Sequence, residues 1–143
     1  MVAAVRNANG TLVAIHRTFL KPDGSGKADL DPQKAALGPT CGGVVALAPL
    51  AETVALGEGI ETMLSVMQVT GLSCWATLGS GNLPNISLPA LVRRVIIAAD
   101  SDYAGAKAAR QAERNYTRQG RRVTIVRTGR ADVDWNDLLR GQR

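Results

Sequence analysis

The segment Val95–Ala99 reads VIIAA, an aliphatic run that ends directly at Asp100. An unbroken run of this kind is typical of a strand buried on both faces, which requires a parallel sheet covered by helices. The segments around it supply the rest. Thr53–Gly57 is a short apolar run that stops at Gly57-Glu58-Gly59. Behind it, Ile60, Met63, Leu64 and Met67 fall at i, i+3, i+4 and i+7, one face of an amphipathic helix that Gly71 ends. Ser73–Leu78 reads as a second apolar strand before the turn-like Gly79-Ser80-Gly81-Asn82. Beyond Asp100 a helix is expected from about Ala104 to Gln119, closed by Gly120. A fourth strand follows at Val123–Val126, and Trp135–Leu139 starts a last short helix. This alternation predicts an α/β fold, with a central parallel sheet of about four strands flanked by helices and right-handed crossovers.

Residues 1–50 follow a different pattern. Asn9-Gly10 separates two β-prone runs, the strongest short-range hairpin signal. Lys21–Lys34 is rich in Gly and Pro and reads as an exposed loop, and Val44–Leu47 reads as a further strand before Pro49. We therefore expect residues 1–50 to form an N-terminal β-rich extension or subdomain and residues 51–143 to form the α/β domain.

Aromatics are only 3% of the 143 residues, so the core must be built from Val, Ile, Leu and Ala. No apolar run is long enough to span a bilayer, and the first residues lack the apolar segment of a signal peptide, so the default compartment is the cytoplasm. Cys41, Cys74 and His16 are too few and too scattered for a structural zinc site, and both thiols are expected to be free and buried. Of 17 Lys and Arg residues, 12 lie from Arg93 onward, and a basic region of this kind suggests a polyanionic partner.

The acids fall at informative places. Glu58 follows the first strand, Asp100 and Asp102 the third, and Asp134 and Asp137 the fourth. In an open parallel sheet, side chains just past the carboxyl ends of the strands converge on one edge. Carboxylates packed there repel one another unless a cation or proton intervenes. Mg²⁺ takes one or two carboxylates, keeps several waters and binds substrate phosphates, so it removes the conflict. Each acid also has a local explanation. Glu58 suits a helix N-terminus, Asp100 and Asp102 suit caps, and Asp134 and Asp137 suit a turn around Trp135. Position alone leaves the two explanations balanced.

Three segments resemble the Toprim domain shared by bacterial primases, topoisomerases, some nucleases and recombination proteins. They are LGEGIET at 56–62, AADSDYAG at 98–105 and DWNDLL at 134–139. The likeness is to the branch found in primase and helicase-primase proteins of phages, plasmids and integrated elements, where HRTFL (16–20) and DGSGKA (23–28) match the usual lead-in. The resemblance implies that Glu58, Asp100 and Asp102 are catalytic residues that hold Mg²⁺ (or Mn²⁺), with Asp134 and Asp137 as further metal ligands. It implies that Gly59 and Gly105 let backbone and helix start approach the site. The chain departs from the pattern at Val133, where lysine is frequent before the last acidic motif.

The implied activity is that of a DNA primase-like nucleotidyltransferase in DNA replication. It would join a nucleotide's α-phosphate to a 3′-hydroxyl on a single-stranded DNA template. Both template and nucleoside triphosphates are polyanions. Lys107, Arg110, Arg114, Arg118 and Arg121 recur at steps of three and four, one helical face suited to track a nucleic-acid backbone or simply to meet solvent. The Gly79–Asn82 turn is either a backbone phosphate nest or a plain tight turn. Trp75 is expected in the core or at a sheet edge, and His16 as a packed or surface residue. Two rivals stand beside the primase: a Toprim nuclease using water as nucleophile, and a noncatalytic nucleic-acid-binding fragment of a larger replication protein. Relatives of this type carry a zinc-binding domain and often a helicase, so those are the expected partners in the longer protein, with no membrane involved.

Overall fold

The computed structural model describes residues 1–127. The expected helix at Trp135–Leu139, and Asp134 and Asp137 with it, lies outside the described residues. The chain opens with an antiparallel sheet of three strands in the order β1-β2-β3: β1 Val2–Arg6, β2 Leu12–Thr18 and β3 Lys34–Leu37. The hairpin is present at the expected place, but its loop is longer than a two-residue Asn-Gly turn. The Asn7 carboxamide oxygen accepts from the backbone N–H groups of Asn9 and Thr11, both at 3.0 Å, and organises the loop before Gly10 turns the chain at φ 79°. The strand β3 was not anticipated. Its sequence, Lys-Ala-Ala-Leu, has no β-branched residue, and it is held by pairing with Ile15–Thr18.

The second sheet has the order β4-β6-β5-β7-β8, with β4 Val45–Ala46, β5 Thr53–Gly57, β6 Ser73–Ala76, β7 Arg94–Ala98 and β8 Arg122–Val126. The last four in that order are mutually parallel, and β4 adds an antiparallel edge against β6. Helix α1, Ile60–Thr70, joins β5 to β6, and helix α2, Tyr103–Arg118, joins β7 to β8. The mixed α/β architecture with a parallel sheet is thus as the strand and helix periodicities predict.

Alternation along the strands divides the core in two. Val54, Leu56, Val95 and Ile97 pack with Ala108, Ala109, Ala112 and Tyr116 of α2. Ala55, Cys74, Ala76 and Ala98 pack with Ile60, Met63 and Val66 of α1, and with Val5 and Ala14 of the first sheet. Large side chains such as Leu56, Met63 and Ile97 are fully buried, each stabilising the fold by roughly 1.5–3 kcal/mol. Helix α1 is rolled slightly from its expected face: Val66 is buried and Leu64 is 40% exposed. Gly71 ends it in the left-handed conformation, its N–H bonded to the Met67 carbonyl at 2.8 Å. The thiols also differ from expectation. Cys74 is buried in β6, but Cys41 is exposed, because it sits in the turn that leads to Gly42 and Gly43. Trp75 lies in the core, 7% exposed.

Candidate active site

The crossover after β5 runs through α1 to β6 on one side. The crossover after neighbouring β7 runs through α2 to β8 on the other, so the connections leave this adjoining pair in opposite directions. Crevices at such switch points, outside the carboxyl ends of parallel strands, are where open α/β sheets bind ligands. The register pairs Gly57 with Ala98, so Glu58 and Asp100 leave the same sheet edge from adjoining strands. Asp102 follows as the N-cap of α2, its Oδ1 accepting the Gly105 N–H at 2.6 Å.

The electrostatics record how these acids meet. The Glu58 carboxyl is pushed up to about 7, first by burial, then by the negative charges of Asp100 and Asp102. The nearby Ser80 backbone amide acts in the opposite direction. Among the described residues no three Asp, Glu, His or Cys side chains stand as a closed metal-binding cluster. The donor set is nevertheless all carboxylate oxygen, which suits a hard cation that keeps waters and takes phosphate oxygens as further ligands. A cation between these groups would also relieve the repulsion that raises Glu58.

Two glycines allow the approach. A Cβ on Gly105 would lie 3.0 Å from the Asp100 carbonyl oxygen and 3.2 Å from Asp102 Oδ1. A Cβ on Gly57 would collide with Met63 Sδ and lie 3.1 Å from the Ala98 carbonyl oxygen. Gly57 was missed by sequence reading, which pointed to Gly59. Around Gly59 the nearest atom to such a Cβ is Thr62 Oγ1 at 3.3 Å, a milder restriction.

The Gly79–Asn82 turn borders the same edge. Backbone pairing continues past β6, with Thr77 N–H on the Gly57 carbonyl at 2.8 Å and Leu78 N–H on the Glu58 carbonyl at 2.9 Å. Leu78 then takes a left-handed φ of 64°, and the turn brings the Ser80 backbone amide near Glu58. A shallow groove of about 240 Å³ runs between Ser80-Gly81 and the α2 residues Ala104, Lys107 and Gln111.

A second charged group was also not anticipated. In the first turn of α1, Glu61 binds Lys34 at 3.0 Å and Lys27 at 3.7 Å, joining the first sheet to the helix that begins beside Glu58. Partly buried His16 faces the same pair, and burial and the Lys34 charge hold it below its ordinary value.

Four residues of the expected basic face, Lys107, Arg110, Arg114 and Arg118, are exposed along α2. Tyr103 and Ala106 join Lys107, Arg110 and Arg114 around a shallow depression there. Arg121 is not part of this row. Helix α2 ends at Arg118, Gly120 turns at φ 80°, and the Arg121 guanidinium donates to the carbonyls of Leu88 at 2.7 Å and Val92 at 3.2 Å. It clamps a loop rather than extending a helical face.

A family profile described as the Toprim domain matches residues 53–142. The chain belongs to the Toprim family. Residues 1–47 match a profile described as a domain of unknown function, DUF7146. No curated protein matches the chain in sequence. Among solved structures, the Toprim chain is similar to the primase fragment of the bacteriophage T7 primase-helicase protein, with a TM-score of 0.68 and 21% identity over 98% of this chain and 57% of that one. It is similar to a DNA primase domain from Pseudomonas aeruginosa, with a TM-score of 0.65 and 20% identity over 97% and 46% of the two chains. A DnaG primase catalytic domain bound to single-stranded DNA gives a TM-score of 0.67 and 17% identity over 99% and 48%. At these identities the likeness is one of fold. The chain spans about half the length of each of these structures. Among the described residues no helix is long and apolar enough to cross a membrane.

Proposed function

We propose that this Toprim chain is the catalytic part of a primase-like protein, carrying out divalent-metal-dependent nucleotidyl transfer on a single-stranded DNA template during replication in the cytoplasm. The observation that carries it is the gathering of Glu58, Asp100 and Asp102 at the switch point, where burial first, and then the charges of the two aspartates, push the Glu58 carboxyl up to about 7. Primase-fold neighbours, one of them bound to single-stranded DNA, support the choice of reaction. Residues 51–143 would be the catalytic domain and residues 1–50 its β-rich extension.

Glu58, Asp100 and Asp102 would hold Mg²⁺ or Mn²⁺, with Asp134 and Asp137 completing the ligand set. When bound, the ion would neutralise charge on the phosphates and orient the attacking 3′-hydroxyl. Glu58 would also be the carboxylate to accept the proton that this hydroxyl gives up as it attacks the α-phosphate, with pyrophosphate leaving. Asp102 is tied to the α2 N-terminus through the Gly105 N–H on its Oδ1, which would leave its second oxygen for the ion. Lys107, Arg110, Arg114 and Arg118 lie on the helix that starts there, a row of charge on which a template strand can lie. A helicase and a zinc-binding domain are the partners proposed for the longer protein.

Incubation of the chain with labelled single-stranded DNA, nucleoside triphosphates and Mg²⁺ or Mn²⁺ tests this. Primer-sized products that vanish in Glu58→Gln are expected. Shortened DNA would instead make the protein a nuclease, and unaltered DNA with no product would make it a noncatalytic binding module.

A further inference from the structure

Aromatic side chains are scarce in this sequence, and the fold uses most of them in packing. Trp75 and Tyr116 lie in the core, and the Arg17 guanidinium covers the Phe19 ring at 5.8 Å. Tyr103 is the exception. It is 84% exposed, more than any other large hydrophobic among the described residues. A ring left in water forgoes the burial of roughly 150–250 Å² that such side chains usually contribute. The fold therefore gains little from an aromatic at this position.

Its place on the helix is specific. Tyr103 is the first residue of α2 and directly follows Asp102, the N-cap. Each residue turns an α-helix by about 100° and advances it by about 1.5 Å. Lys107, Arg110 and Arg114 therefore fall within about 40° of Tyr103 around the axis, at about 6, 10.5 and 16.5 Å along it. The opposite face, with Gly105, Ala108, Ala109, Ala112 and Tyr116, is the buried one. Tyr103, Ala106 and the three cations line one shallow depression of about 210 Å³. Among the described residues none of these cations forms an ion pair, so their charge is open to a ligand. A row of charge that ends in an exposed ring matches the two groups an unpaired strand offers: phosphates along its backbone and the π-faces of its bases. In a duplex those faces are already stacked on one another.

We propose that Tyr103 is a base-stacking platform: an unpaired base of single-stranded DNA lies against its ring while Lys107, Arg110 and Arg114 hold the neighbouring phosphates. This deepens the reading of α2 as the helix that tracks the template, and it rests on that reading. The ring stands at the end of the row next to Asp102. The strand is thus gripped through a base beside the carboxylates and through its charge farther away. Every base has a π-face, so the ring holds the strand without selecting its sequence.

Fluorescence anisotropy of end-labelled single-stranded DNA with the 143-residue chain, in the absence of nucleoside triphosphates, tests this. An abasic strand of the same length keeps the phosphates and removes the bases. Tyr103→Ala should weaken binding of the intact strand about tenfold, the scale of one lost base–aromatic contact. It should leave the salt slope unchanged, because the ring is neutral, and should bind the abasic strand as the unaltered chain does. Tyr103→Phe and Tyr103→Trp should keep the affinity for the intact strand. Arg110→Ala should make the salt slope shallower by about 0.7. Full affinity in Tyr103→Ala overturns the proposal, as does a loss in Tyr103→Phe equal to that in Tyr103→Ala. So does equal binding of intact and abasic strands by the unaltered chain, an unchanged slope in Arg110→Ala, or no binding of single strands at all. A lowered melting temperature of Tyr103→Ala with equal losses on both strands would make the ring a prop for the helix, and also overturns it. Primer synthesis is scored separately. A chain that shows the stacking pattern but makes no primers loses the proposed reaction alone, and primers made with Tyr103→Ala at full affinity do the reverse.

Discussion

Glu58 and Asp100 leave adjoining parallel strands at one sheet edge, and the aspartate's charge adds to burial in pushing the Glu58 carboxyl up to about 7. This coupling has a thermodynamic consequence. Between the ordinary value of 4.5 and about 7, the folded chain holds a proton that the unfolded chain has released. Stability then falls as pH rises through that window, because the native state binds more protons. Denaturation midpoints measured from pH 4.5 to 8 should decline for the unaltered chain. They should flatten in Glu58→Gln, which keeps the shape of the protonated form. An equal decline in both would remove Glu58 as the cause.

Gly105→Ala should be costly out of proportion to its size. The added methyl meets the Asp100 carbonyl at 3.0 Å and the Asp102 carboxylate at 3.2 Å, both fixed by the start of α2. Overpacking of this kind costs about 1–3 kcal/mol. Gly26→Ala, where nothing lies within 4 Å, is the control and should be close to neutral in a urea titration.

Tyr116 closes the far side of the core. Its hydroxyl donates to the Leu83 carbonyl at 2.6 Å and is fully buried, which raises the phenol to about 12. Tyr116→Phe removes the donor and leaves the carbonyl unpaired, at a cost of about 1–3 kcal/mol by chemical denaturation.

Arg121 and the α2 row should separate cleanly. Replacing Arg110, Arg114 and Arg118 together with alanine should weaken single-stranded DNA binding. The slope of log affinity against log salt should become shallower by about 2. Arg121→Ala should instead lower the melting temperature with little change in that slope, because its guanidinium is spent on the Leu88 and Val92 carbonyls.

Much of the fold could be read from the chain because its strands and helices are locally consistent. The aliphatic run before Asp100, the helical period after Gly59 and the glycines at 71 and 120 each mark an element that the structure contains. What escaped depends on distant partners. β3 has little strand propensity of its own and forms by pairing with β2. The Asn82 side chain donates to carbonyls at positions 40, 43 and 77, which no local pattern connects. The Lys27–Glu61–Lys34 group likewise joins residues far apart in sequence. Arg121 was misjudged because spacing was carried through Gly120, where the positive φ breaks the helix. Glu58, Asp100 and Asp102 were legible as neighbours from strand order. That burial and the two aspartate charges make the Glu58 carboxyl harder to ionise becomes evident only in the folded chain.

The central claim is that these three carboxylates share a divalent ion. A crystal of the protein soaked in Mn²⁺, with anomalous data collected at the metal edge, tests it most directly. The account predicts a single strong peak among Glu58, Asp100 and Asp102, lost in Glu58→Gln. On replacement by Mg²⁺ the oxygen distances should be about 2.0–2.1 Å. No peak at that edge, or one that persists unchanged without the Glu58 carboxylate, would contradict it.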